Sequence, residues 1–381
     1  MNLIDSKSHR QIFFGVWQAK DKIFNNRKDA LLYASKNGCP DLRWLWHDNI
    51  WKSFNTDLLG KTSLSELYRL RAQQLRDKYD YLILSYSGGA DSHNVLMSFI
   101  NNNIKLDQIF VHMPFKIINS SLHDPNNTDT RARNLMSEWD YVIEPTLKQL
   151  ATSHPNIKIE VSDWTDNITE SLFKHDLSPE TTDVWGIGNL ARSINYSKTG
   201  IEKLNQGLSV ATIFGADKPN VSKYKNKAYM SFTDRAILLT SYATGVGEAF
   251  YNTPDLPDLA FEMAYQVYLF YKLNPHFDSF IWSPNRVHNF DAVLAFNNAI
   301  AKKICYSDTW DFTKFQAEKP IQSGIGKDRD YFIYESPEFK QICDSWNYHF
   351  AGFLDGIDKK YIGTDNQTNK IRSPGYYLGD F

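Results

Sequence analysis

Cysteine is scarce: only Cys39, Cys305 and Cys343 occur in 381 residues. An odd count with no close pair excludes a disulfide framework and a four-cysteine zinc site, and it suits a reducing compartment. No apolar run approaches the ~18 residues that cross a bilayer, and the start, MNLIDSKSHRQ, is polar where a secretory signal is apolar. A soluble cytoplasmic protein is therefore predicted. Net charge is scarce as well, since 42 Lys and Arg against 44 Asp and Glu leave −2. A protein devoted to duplex nucleic acid is normally strongly basic, so only a local basic groove is compatible with this balance. Internal repeats and low-complexity tracts are missing. What is present, 42% hydrophobic against 23% charged residues, is the composition of packed structure, and the length predicts two or three packed units.

Aromatic residues make up 14% of the chain and reach into the first sixty positions at Trp17, Trp44, Trp46 and Trp51, so the N-terminal region is folded. Leu64, Leu67, Leu70 and Leu75 recur at near-helical spacing and predict a surface helix. Tyr81 to Ser85 then reads as a buried strand, followed at once by a Ser-Gly-Gly turn and an apolar-periodic stretch at Val95, Leu96, Phe99 and Ile100. A second strand, Gln108 to His112, closes a β-α-β unit of the parallel kind. The pattern repeats, with a helix over Arg133 to Leu150, a strand at Ile157 to Val161, a helix around Gly200 to Gln206 and a strand at Leu208 to Phe214. Such alternation predicts α/β architecture, a doubly wound parallel sheet. Beyond residue 236 helical spacing takes over at Leu256, Leu259, Ala260, Met263, Ala264, Val267, Phe270 and Tyr271, then at Asp291 to Ile304 and Glu338 to Phe353. The expected division is a mostly helical N-terminal extension (1–75), an α/β domain (76–235) and a mainly helical C-terminal region (236–381), ending in a Gly- and Tyr-containing tail.

The sharpest feature is Ser85-Tyr86-Ser87-Gly88-Gly89-Ala90-Asp91-Ser92, set between strand and helix. Adjacent glycines let successive N–H groups point into one hollow, and the helix start adds the positive end of its dipole. Ser87 and Ser92 carry hydroxyls that can donate to phosphate oxygens, and Asp91 can orient the loop or hold magnesium. A Walker loop would need a lysine and greater length, which this segment lacks. Gly324-Ile325-Gly326-Lys327 has no hydroxyl residue after it and reads as a turn.

Ser87-Gly88-Gly89-Ala90-Asp91-Ser92 resembles the SGGxDS signature of the PP-loop, or N-type, ATP pyrophosphatases, and the likeness extends at fold level over roughly residues 76 to 235. The family includes asparagine, GMP and NAD synthetases, tRNA thiolation enzymes and sulfonucleotide reductases. The resemblance implies ATP and Mg2+ as cofactors, cleavage of ATP between the α and β phosphates, and a HUP/PP-loop type doubly wound sheet over 76–235, to which the spacing adds helical N- and C-terminal segments. It assigns nucleotide contacts to Ser85, Ser87, Gly88, Gly89, Asp91 and Ser92. Gly215-Ala216-Asp217-Lys218-Pro219 resembles the family's second, looser phosphate-side motif. That likeness implies Gly215 at the nucleotide, Asp217 beside Asp91 as a magnesium ligand, and Lys218 opposite the departing pyrophosphate. An Asx-type turn with a solvated lysine is the competing reading. Family geometry further implies adenine contact at His112 and Met113 through backbone and apolar surface, against a hydrogen-bonded structural histidine as the competing reading.

Residues ending the strands of an open parallel sheet face its ligand crevice. Trp164, near the third strand end, is a candidate for stacking on a base or substrate ring, against ordinary packing on a helix. Arg131 and Arg133, beyond the polar loop Asp124 to Thr130, are candidates to grip a carboxylate or phosphate, against ordinary surface arginines near a helix start. Lys218, Lys223, Lys225 and Lys227 form a basic run that suits polyphosphate or RNA, though such runs are usually solvated faces.

Three function classes stand. The first is an ATP-dependent adenylating enzyme of the amidating or ligase kind, acting on a small-molecule or nucleobase acceptor. Asn2 follows Met1 where the glutamine-hydrolysing domain of asparagine synthetases has cysteine, so ammonia would come from elsewhere. The second is sulfur transfer or sulfonucleotide reduction, which usually needs a reactive thiol. The third is an adenine-nucleotide-binding module without turnover.

Overall fold

The computed structural model describes residues 13–39, 41–120, 138–163, 196–216, 218–238, 243–281, 290–310 and 371–381, with a few isolated positions between them. In the N-terminal part, strands β1 (Val16–Ala19) and β2 (Lys22–Phe24), helix α1 (Arg27–Lys36), strand β3 (Leu42–Leu45) and helix α2 (Asp48–Lys52) come first. Helix α3 (Leu64–Lys78), strand β4 (Tyr81–Ser85), helix α4 (Ala90–Ile100), strand β5 (Gln108–Met113), helix α5 (Glu144–Ser153), strand β6 (Lys158–Asp163), helix α6 (Lys198–Asn205) and strand β7 (Val210–Phe214) follow. A hairpin, β8 (Asn220–Tyr224) and β9 (Lys227–Ser231), then leads to helix α7 (Asp234–Leu238), strand β10 (Val246–Ala249), helices α8 (Pro257–Leu273) and α9 (Phe290–Cys305), and strand β11 (Tyr376–Asp380).

The predicted α/β architecture is present. Five strands form one sheet in the order β10-β7-β4-β5-β6, and every pairing is parallel. The chain steps outward from β4 through β5 to β6, returns across the sheet through α6, and steps outward the other way through β7 to β10. The order therefore reverses between β4 and β7. Alternation along the strands separates two faces: Leu82, Leu84, Ile109, Val111, Ala211 and Ile213 enter the main core, while Tyr81, Ile83, Phe110 and Val210 form a smaller one with Leu204 and Leu208. Gly200 lets α6 lie close on the sheet, since a Cβ there would come within 2.6 Å of Ile83 Cδ1.

Helix α3 starts on Ser63, whose Oγ accepts from Glu66 N at 3.2 Å, and buries Leu67, Tyr68, Arg71, Ala72 and Leu75. Leu70, read as part of the apolar stripe, lies on the outer side. Helix α8 serves two cores at once, Leu259, Met263, Val267 and Tyr271 against the parallel sheet and Ala260, Phe261, Ala264 and Tyr268 against a tryptophan cluster. That cluster, built on Trp17, Trp44, Trp46 and Trp51, also takes Met230 and Phe232 near the hairpin and Tyr376 and Leu378 from β11.

The N-terminal region holds helices together with a three-stranded antiparallel sheet, β2-β1-β3. Helix α3 runs across residues 75 and 76, and β10 adds a strand to the parallel sheet beyond residue 236. The C-terminal tail is strand β11 in a second antiparallel sheet, β11-β9-β8. The helix expected over 338–353 and the turn at 324–327 lie outside the described residues.

Ion pairs tie the layers. Glu248 accepts from Arg71 Nη2 and Lys78 Nζ, both at 2.8 Å, and from the Tyr79 hydroxyl. Asp107 accepts from Leu82 N at 2.9 Å and Arg76 Nη1 at 2.5 Å. Glu160 accepts from Lys198 N at 2.8 Å and Ser197 Oγ at 2.9 Å. Burial pushes each of these carboxyls up, but the neighbouring donors and cations outweigh it and hold all three below their ordinary values. A depressed folded value stabilises above the unfolded one and the gain is lost as pH falls through it. The urea midpoint should accordingly stay flat from neutrality to about pH 5 and fall steadily below about pH 4.5. Glu248→Gln should flatten that fall; an unchanged acid slope would remove Glu248 from the account.

Candidate functional site

Ligands of open α/β sheets lie outside the carboxyl ends of the strands where the order reverses. Here that point is flanked by Ser85, the last residue of β4, and Phe214, the last of β7, which are paired. The Ser85 to Ser92 loop leaves one strand and Gly215 leaves the other. Tyr86 N extends the ladder to Phe110 O at 2.9 Å. Ser87 N then turns back to Ser92 Oγ at 3.2 Å, and that hydroxyl donates to Gly89 O at 3.1 Å. Ser92 is thus spent inside the loop, where it fixes the turn. Ser87, which is exposed, keeps the hydroxyl that faces solvent; its Oγ lies 3.2 Å from that of Ser92.

The two glycines differ. Gly88 has φ +75°, and a Cβ there would lie 2.5 Å from Ile143 Cγ1 in the π-helical turn before α5. Gly89 caps α4 with an ordinary extended backbone, φ −76° and ψ 160°, and the nearest atom to a Cβ there is Ser87 Oγ at 3.7 Å. The amides of Gly88, Gly89, Ala90, Asp91 and Ser92 have no hydrogen-bond partner among the described residues. An open cluster of amides at a helix start is an anion hollow.

Gly215 serves close packing: a Cβ would come within 2.9 Å of Asp91 O and Ser92 Cα, so β7 can end flush against the first turn of α4. This brings Lys218 to the hollow. Its Nζ donates to Asp91 Oδ1 at 2.8 Å, and the Tyr306 hydroxyl donates to the same oxygen at 2.7 Å. Asp91 Oδ2 has no partner among the described residues, and the side chain keeps 27% of its surface while that of Lys218 keeps 8%. Burial pushes the Asp91 carboxyl up, but the charges of Lys218 and Lys302 and the bonds from Lys218 and Tyr306 prevail and hold it below its usual value. It is an ionised carboxylate with one occupied and one open oxygen.

Several contributors were not read from the sequence. Tyr251, just after β10, donates to Asp91 O at 2.6 Å and accepts from Asn94 Nδ2 at 3.1 Å. Thr309 Oγ1 donates to Asn94 Oδ1 at 2.6 Å, and Tyr68 donates to Cys305 O at 2.8 Å. Burial pushes the Tyr68, Tyr251 and Tyr306 hydroxyls far above their ordinary value, so they act as donors. Burial also lowers His93 to about 4, and its neutral ring sits 2.9 Å from the Tyr86 hydroxyl through Nδ1. The same effect raises the Cys305 thiol to about 12, and Cys39 is buried in the tryptophan core. Both thiols are closed off from solvent.

The remaining predicted residues divide. His112, the last but one residue of β5, has its ring edge-on to Phe110 at 5.6 Å. The Met113 side chain is packed into the main core. Lys223, Lys225 and Lys227 fall on the β8–β9 hairpin, where Lys223 pairs with Asp278 at 2.6 Å. Asp217, Trp164, Arg131, Arg133 and Cys343 lie outside the described residues. Among the described residues no group of three His, Cys, Asp or Glu is arranged to hold a metal ion, and no helix is long and apolar enough to cross a membrane. No protein-family model, curated protein or solved structure matches this chain.

Proposed function

We propose that the hollow between β4 and β7 binds the polyphosphate of ATP and that the protein is an ATP-dependent adenylating enzyme of the PP-loop pyrophosphatase kind. In this reading an acceptor oxygen attacks the α-phosphorus, the bond to the bridging β-phosphate oxygen breaks, and pyrophosphate leaves. An amine or ammonia then displaces AMP from the activated carbon. The observation that carries the reading is the set of unbonded amides from Gly88 to Ser92 at the point where strand order reverses, with Lys218 and the Ser87 hydroxyl beside it.

Pyrophosphate is a good leaving group once its charge is neutralised, so positioning and electrostatics suffice and no protein acid or base is demanded. Magnesium fits the donors: it commonly takes one or two carboxylates plus phosphate oxygens and water, and Asp91 Oδ2 is open. When bound it would offset polyphosphate charge. Asp91 would hold it, Lys218 would meet the leaving phosphates, and Ser87 and the amides would orient them.

Among the described residues both cysteines, Cys305 and Cys39, are buried, which favours the adenylating reading over sulfur transfer by either of these two thiols. The test is product analysis after incubating the full chain with MgATP and pools of carboxylate, nucleobase and amine compounds. AMP and pyrophosphate in equal amounts are expected, and Gly89→Val should abolish both nucleotide binding and turnover. ADP and orthophosphate as sole products would overturn the reading, and tight ATP binding with no acceptor-dependent pyrophosphate would assign a binding module instead.

A further inference from the structure

We propose that Lys218 is exchanged between two anions, held by Asp91 in the empty protein and passed to a phosphate when a divalent cation takes its place at Asp91. The inference rests on the polyphosphate reading of the hollow and adds how that site is controlled.

The geometry is asymmetric. Lys218 and Tyr306 both bond Asp91 Oδ1, at 2.8 and 2.7 Å, while Oδ2 stays open. A lysine whose side chain is only 8% exposed needs an anion near it, because an uncompensated charge at such a site is costly. In the empty protein Asp91 fills that need. Asp91 then offsets the charge of Lys218, with Lys302 also acting on the carboxylate, so an arriving polyphosphate meets the amide hollow without a free Lys218 charge and with the open Oδ2 facing it as a local repulsion. A cation at Oδ2 removes that repulsion and weakens the hold on Lys218, whose charge becomes available to the phosphate. Tyr306 keeps its bond to Oδ1 throughout, so Asp91 retains a partner after the lysine leaves. Tyr251 holds the Asp91 carbonyl at 2.6 Å, which leaves the side-chain contacts to change against a fixed main chain.

Cation and phosphate should therefore bind with positive coupling, of a size commonly between fivefold and about a hundredfold. The experiment is calorimetric titration of the full chain with inorganic pyrophosphate, in EDTA and in excess Mg2+. Wild type should bind at least about tenfold more tightly with Mg2+. Asp91→Asn is isosteric and still offers Tyr306 an acceptor, but it takes the anion from the buried Lys218, so its thermal midpoint should fall below wild type and rise again on addition of pyrophosphate. It should bind metal-free pyrophosphate more tightly than wild type, by roughly tenfold, and lose most of the gain from Mg2+. Adding Lys218→Met should cancel the metal-free gain.

A residue with only a structural role would weaken binding in both conditions. If Asp91→Asn weakens metal-free binding, or if Lys218→Met leaves its gain intact, the exchange is wrong. Failure of pyrophosphate to bind any variant removes the hollow together with the exchange. The adenylating reading fails separately, by absence of AMP and pyrophosphate formation in a wild type that binds pyrophosphate as described.

Discussion

Gly88→Ala should lower the unfolding free energy by about 2–5 kcal/mol, whereas Gly89→Val, one residue on, should cost no more than about 1 kcal/mol and still lose nucleotide binding. The contrast follows from what each position touches. At Gly88 the backbone is left-handed and a Cβ would press to 2.5 Å from Ile143 Cγ1. A left-handed residue with a side chain costs about 1–2 kcal/mol, and forcing a methyl into filled space costs about 1–3 kcal/mol more. Ile143 is fully buried in the main core, so it has little room to retreat. At Gly89 the backbone is ordinary and the Cβ direction is open to 3.7 Å, so the cost is mainly a poorer helix cap. On the proposed polyphosphate reading, a valine there would crowd the open amides that are to hold the anion. Urea denaturation of both variants, beside ATP titration, separates the two effects. An unaltered midpoint for Gly88→Ala would mean that the packing of the loop on Ile143 is looser than described.

The strands of the parallel sheet were the most legible part of the sequence, for a physical reason. A strand covered on both faces is a short continuous apolar run bounded by turn residues, and Tyr81 to Ser85 matches the observed β4 residue for residue. The loop was legible because adjacent glycines between strand and helix have few other uses. The short strand Val246–Ala249 was not. Its sequence, VGEA, has a glycine where β10 lies against Thr240 and a glutamate whose value depends on Arg71 and Lys78, some 170 residues earlier.

The hairpin was missed because its turn, Lys225-Asn226, takes positive φ at both residues without the Asn-Gly or Asp-Gly pair that usually marks such turns. Its lysines were read as a basic run. The tyrosine hold on α4 had no sequence signal at all. Tyr251 and Tyr306 lie 160 and 215 positions from Asp91, in segments read only as helical or left unassigned. Asp91 could be suspected of holding magnesium from the loop alone, but its bond to Lys218 depends on Gly215 letting β7 close against α4. Local pattern gives the hollow; only the packed chain gives its counter-ions.

Asp234→Ala should be the most damaging single substitution away from the site, at about 3–5 kcal/mol. Asp234 is fully buried and joins three distant segments: its Oδ2 accepts from Trp17 Nε1 at 3.0 Å and lies 3.2 Å from Arg27 Nε, and its Oδ1 accepts from Ile371 N at 3.1 Å. Its own amide returns a bond to Ile371 O at 3.0 Å. The N-terminal sheet, helix α7 and the approach to β11 therefore meet on one carboxylate. Truncating it takes a buried carboxylate away from the Arg27 guanidinium, itself 2% exposed, and strands the indole and Ile371 donors away from water. Much of the cost comes from that broken ion pair. The double variant Arg27→Met with Asp234→Leu should consequently recover much of the loss, since replacing a buried pair by apolar groups of similar volume is often close to neutral. Urea midpoints of the single and double variants, followed by tryptophan fluorescence because Trp17 sits in the affected core, measure this directly. A single variant within about 1 kcal/mol of wild type would show that the carboxylate is not the junction of these segments.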